Sequence, residues 1–168
     1  LDLRYVRATY QLQQFVPATN LITLGLRADL GYGAGYDGKP YPVFKNFYVG
    51  GIGSVRGYDG GSLGPRQLLP DGTLGDPLGG TRRLSFSLEA LAPIPGADRT
   101  LRGVAFIDGG WAWGARDTVR LDDLRYSAGI GLAWISPIGP LRLSYSVPLN
   151  RQPFDRLERF QFQIGTGF

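Results

Sequence analysis

The 168-residue chain has 26 glycines, 9 tyrosines, 9 phenylalanines and 3 tryptophans, but no cysteine, histidine or methionine. The missing cysteine and histidine exclude a disulfide framework, a thiolate zinc centre and the side chain that most often serves as general base. A net charge of +4 is too small an excess to argue for nucleic acid, and no run of about 18 apolar residues marks a transmembrane helix.

The length suits one domain, and glycine with aromatics favours short strands and turns. Leu1 is no natural start, so the chain is expected to be part of a longer protein. The first strand is expected over about 1–15. Leu1, Leu3 and Tyr5 share one face, then the apolar set shifts to Val6, Ala8, Tyr10 and Leu12, a slip that a bulge or loop end near Tyr5 would produce. A turn with Pro17 follows. In the second strand Ile22, Leu24, Leu26, Ala28, Leu30 and Tyr32 oppose Thr23, Gly25, Arg27, Asp29 and Gly31.

A glycine-rich segment then runs from 33 to about 80. Structureless loops beyond about 12–15 residues are usually functional or disordered. Phe44, Phe47, Tyr48 and Tyr58 predict that this one is packed, with 65–80 its looser part. At its centre 5 glycines lie between Gly50 and Gly60 around a single cation, Arg56. The economical reason for order is that Arg56 enters a polar interior and is held by carboxylates from later strands.

Regular alternation resumes beyond it. Leu84, Phe86, Leu88 and Ala90 oppose Arg83, Ser85, Ser87 and Glu89; Ala105, Ile107, Trp111 and Trp113 oppose Val104, Phe106, Asp108 and Gly110. Strands over 124–134 and 141–149 and a last aromatic strand over 160–168 bring the expected total to seven, with no helix. One face is aliphatic and aromatic; the other carries arginine, acids, serine, glutamine and glycine. Two features place the apolar face outward. Trp111, Trp113, Trp134 and Tyr32 cluster near strand ends like an interfacial girdle, and short turns alternate with long connections, as in outer-membrane barrels. The expected fold is therefore all-β, an antiparallel transmembrane β-barrel rather than a soluble lipocalin-like one. An odd strand count cannot close against lipid, so the chain reads as the carboxy-terminal portion of a larger barrel.

Several stretches also carry a family likeness: Asn46-Phe-Tyr-Val-Gly-Gly-Ile-Gly-Ser-Val-Arg-Gly-Tyr58, Ser62-Leu-Gly-Pro65, Ser87-Leu-Glu89, Phe106-Ile-Asp-Gly-Gly110, Trp134-Ile-Ser-Pro-Ile-Gly-Pro140 and Phe160-Gln-Phe-Gln-Ile-Gly-Thr-Gly-Phe168. In that order they cover nearly the whole chain, and the chain resembles the BamA family of outer-membrane insertases of Gram-negative bacteria. More distantly it resembles two-partner secretion transporters.

The BamA resemblance implies a barrel of about 16 strands, with residues 1–168 supplying the last seven and 33–80 an extracellular loop folded into the lumen. It implies that Arg56, in the loop motif Val55, Arg56, Gly57, Tyr58, is held by Asp108 of the strand motif Phe106, Asp108, Gly110 and by Glu89. It further implies a lateral seam at the last strand, with a kink at Gly165 and an aromatic end at Phe168. The barrel's first strand and the periplasmic POTRA domains are expected to lie outside the chain. Implied partners are the outer-membrane bilayer, client β-barrel proteins and accessory lipoproteins, with no nucleic acid, no cofactor, no metal and no enzymatic activity. The alternatives are a two-partner secretion transporter exporting one protein, or a plain pore-forming barrel. Gly50–Tyr58 is not read as a phosphate loop, because no helix follows to hold the phosphate. Glu89 and Asp108 could in principle act as an acid–base pair, but barrel lumens are commonly lined with structural ion pairs.

Overall fold

The computed structural model describes residues 2–165; Leu1 and the aromatic end at Phe168 lie outside the described residues. β1 (Tyr5–Pro17) and β2 (Thr23–Gly35) form a hairpin. The long segment after them holds the short strands β3 (Gly57–Tyr58), β4 (Arg66–Leu68) and β5 (Leu74–Pro77). β6 (Arg82–Pro93), β7 (Leu101–Trp113), β8 (Arg125–Ser136) and β9 (Gly139–Pro148) follow as a meander, then β10 (Leu157–Glu158) and β11 (Phe160–Ile164). The only helical turns among the described residues are 3-10 turns at Val43–Lys45 and Leu121–Asp123.

Seven strands make one antiparallel sheet in the order β1-β2-β6-β7-β8-β9-β11. Sequential neighbours pair because each connection except that between β2 and β6 is short enough to turn the chain directly back. β1 and β11 each have one partner in this sheet, so it is open and not a closed barrel. The first strand begins at Tyr5 and pairs without a bulge through Pro17; the apolar slip in the sequence marks its start.

Period-two alternation sorts the side chains, since successive strand residues point to opposite faces. On one face Ser85, Ser87, Asp108, Ser127, Ser144, Ser146 and Gln161 are buried, whereas Leu30, Leu88, Ile107, Ile130, Tyr145, Phe160 and Phe162 on the other are exposed. This inverts the usual rule that large apolar residues are covered and polar ones are not. The polar face is covered by the long segment between β2 and β6, and we call it the inner face. Val49, Val55, Tyr58 and Leu63 of that segment pack with Ala112 of β7, so the apolar core lies between segment and sheet.

Phe47 anchors the base of the segment. Its backbone exchanges two hydrogen bonds with Gly80, at 2.7 and 2.8 Å, and the guanidinium groups of Arg7 and Arg83 lie 4.5 and 5.2 Å from its ring centroid.

Two local expectations are corrected. The 65–80 stretch is an ordered hairpin of β4 and β5, clasped by Arg66, whose Nε and Nη2 donate to the Gly75 carbonyl at 3.0 and 2.7 Å. Trp113 is no outward girdle residue. It is 2% exposed, and its Nε1 donates to Asp123 at 2.9 Å, because the connection after β7 folds back over it. Trp111 is half-buried, with the Arg125 guanidinium 4.6 Å from its ring, whereas Trp134 and Tyr32 are exposed.

Candidate functional site

The register of β6, β7 and β8 builds the floor of the site. Ser87 pairs across to Asp108, and Asp108 to Ser127. One step along, Glu89 pairs with Phe106 and Phe106 with Gly129. Two carboxylates, a hydroxyl and an aromatic ring thus share one small area of the inner face. Unpaired, buried carboxylates there would be costly.

Arg56 supplies the missing charge. Its Nε and Nη2 donate to the two oxygens of Asp108, both at 2.7 Å, the fork geometry that makes arginine–carboxylate pairs strong. Nη1 reaches Glu89 at 2.7 Å, and Nη2 also donates to Ser87 Oγ at 2.9 Å. Ser87 in turn donates to Asp108 at 2.6 Å, and the Arg56 backbone N–H donates to Asp108 at 3.0 Å. The guanidinium carbon lies 3.4 Å from the Phe106 ring centroid, a cation–π stack. Burial works against the charge on Arg56, but the hydrogen bonds and charges of Asp108 and Glu89 outweigh it, so its pKa is held above the ordinary value.

The alternate residues Phe106, Asp108 and Gly110 therefore serve as platform, anchor and hole. A Cβ on Gly110 would lie 2.9 Å from Val55 Cγ2, so the glycine makes room for the valine beside Arg56. Gly57 has φ +92°, and a Cβ there would meet Ser146 Cβ at 3.0 Å. No other residue adopts that backbone so close to the sheet without strain. Tyr58 is fully buried and donates its hydroxyl to the Tyr126 carbonyl at 3.1 Å. Burial, with Asp155 nearby, pushes its phenol up to about 12.

Val55, Arg56, Gly57, Tyr58, Glu89, Phe106, Asp108 and Gly110 thus meet in one place. Gly165 stands apart: it follows β11 with φ +84°, and its N–H donates to the Pro140 carbonyl at 2.7 Å.

An Omp85 superfamily domain model matches residues 2–168. The chain belongs to the Omp85 superfamily. Within it, the chain is 39% identical to "Outer membrane protein assembly factor BamA" of Neisseria meningitidis serogroup B, over 99% of this chain and 24% of that protein. It is 30% identical to the human "Sorting and assembly machinery component 50 homolog", over 77% of this chain and 30% of that one. The crystal structure of BamA from Haemophilus ducreyi lacking POTRA domains 1–3 superposes with TM-score 0.84 and 31% identity, over 96% of this chain and 35% of that chain. The Omp85 chain spans about a quarter of the length of the Neisseria relative. Its open sheet has the fold of part of a BamA barrel.

Three residues of this Omp85 site escaped the sequence reading. Alternation places Ser87 on the polar face, but only the register puts it opposite Asp108. Gly129 leaves space for the Phe106 ring: a Cβ there would lie 2.7 Å from Phe106 Cζ. Gln161 donates from Nε2 to the Tyr58 carbonyl at 2.9 Å and accepts from Gly57 N–H at 3.4 Å, yet nothing in its local pattern separates it from Gln163. Of these, Ser87 gives a graded test. Ser87→Ala in the full-length protein removes a hydrogen bond to each member of the charged pair and should cost about 1.5–3 kcal/mol. The expected signature is a lower urea midpoint with an unchanged slope for unfolding in detergent micelles.

Proposed function

We propose that the chain is the carboxy-terminal barrel portion of an outer-membrane insertase that folds and inserts β-barrel proteins, with the loop around Arg56 locked into the lumen. The observation that carries this reading is the seat of Arg56 on Asp108, Glu89 and Phe106, in a chain similar to an outer-membrane protein assembly factor along 99% of its length. The exposed apolar face suits the outer-membrane lipid bilayer.

The work asked of such a protein is non-covalent. Glu89 and Asp108 are both engaged by one guanidinium, which supports a role as structural counter-ions rather than as an acid–base pair. Client strands would add to an exposed sheet edge by main-chain pairing, at the seam near Gly165. Glycine weakens a strand and admits a bend. Accessory lipoproteins would engage mainly through parts of the full-length protein that precede this barrel.

Depleting the full-length protein in its native cells tests the proposal. The folded, heat-modifiable fraction of many unrelated outer-membrane barrels should fall together over several generations. Normal assembly of those barrels, with loss of one exported protein from the medium, would overturn it in favour of a dedicated transporter.

A further inference from the structure

Two of the ties that fasten the long loop to the sheet differ in kind. At Arg56 it is tied to β6 and β7, which have neighbours on both sides and are fixed in the sheet. At Gly57 and Tyr58 it is tied to the segment 156–161, which leads into the edge strand β11. Among the described residues β11 spans five positions and pairs with β9 alone in this sheet.

The second tie is extensive. β10 leaves the sheet to pair with β3, Leu157 opposite Tyr58 and Glu158 opposite Gly57. Asp59 N–H donates to the Arg156 carbonyl at 3.0 Å, and Leu157 packs on the core cluster. Arg159 lies between β10 and β11, and its carbonyl accepts from Ser146 N–H at 2.9 Å. The same few residues therefore hold β9 with one set of groups and the loop with another. Gln161 joins the two sets. It pairs with Ser144 inside the β9–β11 ladder, while its carboxamide grips Tyr58 and Gly57. At 5% exposure it has no ready access to water that could replace those bonds, so breaking them carries a desolvation cost.

We propose that Gln161 is a positioning residue that couples loop seating to the hold on β11, so that each loosens when the other is released. The coupling is reciprocal, as linkage requires. It rests on the seated loop described above and not on the insertase activity, so it stands or falls separately from that reading.

Amide hydrogen exchange on the full-length protein in detergent micelles reads the coupling directly. Gln161→Leu keeps the bulk and removes the carboxamide's contacts with Tyr58, Gly57 and Glu158. It should raise exchange at least about tenfold, the factor expected for a single lost hydrogen bond, at residues 57–59 and at the β11 amides bonded to β9, with β7 unchanged. Arg56→Ala, which unseats the loop from the other end, should speed the same β11 amides. Gln161→Glu supplies a check that a packing defect would not pass. As a protonated acid it can still donate to the Tyr58 carbonyl, whereas ionised it cannot, and it then faces Glu158, 3.3 Å from the native amide nitrogen. Compared with wild type at the same pH, this variant should be equally protected at acid pH and less protected at pH above neutrality. Faster exchange in the loop with β11 unchanged, or in β11 with the loop unchanged, or no pH dependence in Gln161→Glu, overturns the proposal.

Discussion

Arg56→Glu in the full-length protein is expected to abolish assembly of client barrels while the protein itself still reaches the membrane. The substitution removes the one cation between Asp108 and Glu89 and puts a third carboxylate against them, beside the ring face that had held a guanidinium. Breaking a buried pair from one side costs about 3–5 kcal/mol, because the remaining charge is stranded. That corresponds to a fall of roughly a hundredfold or more in the equilibrium constant for seating the loop. Depletion of the wild type behind the variant, followed by heat-modifiability of folded porins, reads the effect. Adding Asp108→Arg reverses the pair and should restore part of the lost assembly; recovery stays partial because the new guanidinium cannot take the same place on the Phe106 ring. Wild-type assembly by Arg56→Glu alone would sink the loop-lock idea.

Gly129→Ala should be nearly as damaging, although it removes no contact and adds a single methyl. The added Cβ would lie 2.2 Å from the Tyr145 carbonyl oxygen and 2.7 Å from Phe106 Cζ. One neighbour is backbone in the β8–β9 ladder, and the other is the platform under Arg56, so neither yields without disturbing the site. Overpacking of this kind costs about 1–3 kcal/mol. The checks are the temperature at which the full-length protein loses its heat-modifiable form on gels and its support of porin assembly; both should fall. Gly131→Ala is a useful partner, since its Cβ would meet the Leu143 carbonyl oxygen at 2.4 Å, with no atom of Phe106 nearer than 3.4 Å. It should disturb the ladder with less effect on the loop.

What could be read from residue order follows from the period of a strand. Alternation alone assigns Glu89, Phe106, Asp108 and Gly110 to one face, because alternate residues share a side. It cannot say which residue on β6 stands opposite Asp108. Any even slip in pairing preserves the faces, and the register that brings Ser87 there depends on how 94–100 turns. Trp113 departs from its expected outward place for a related reason. Its position near a strand end on the apolar face is real, but the cover comes from Asp123 and its neighbours, ten residues on, and local pattern carries no information about that fold-back. The 65–80 hairpin does carry a local signal. Asp71-Gly72 sits between Leu68 and Leu74, a turn pair, and the Asp71 carboxylate accepts from both Thr73 groups at 3.0 and 2.6 Å. Gln161 was out of reach, because its partners Tyr58 and Gly57 are 103 and 104 residues away.

The spacing of the loop's anchors also orders the folding of the chain in time. Arg56 bonds to Ser87 and Asp108, 31 and 52 residues downstream, Tyr58 to Tyr126, 68 downstream, and to Gln161, 103 downstream. All of these partners lie later in the chain than the loop itself, on β6, β7, β8 and β11. Contacts of long sequence separation form only after the loop-closure entropy between them has been met. Docking of Arg56 must therefore wait until the hairpin of β6 and β7 exists, and Tyr58 meets Gln161 only once β11 has arrived. A filled seat is in effect a completion mark: it can be written only when every strand beneath it is already in register.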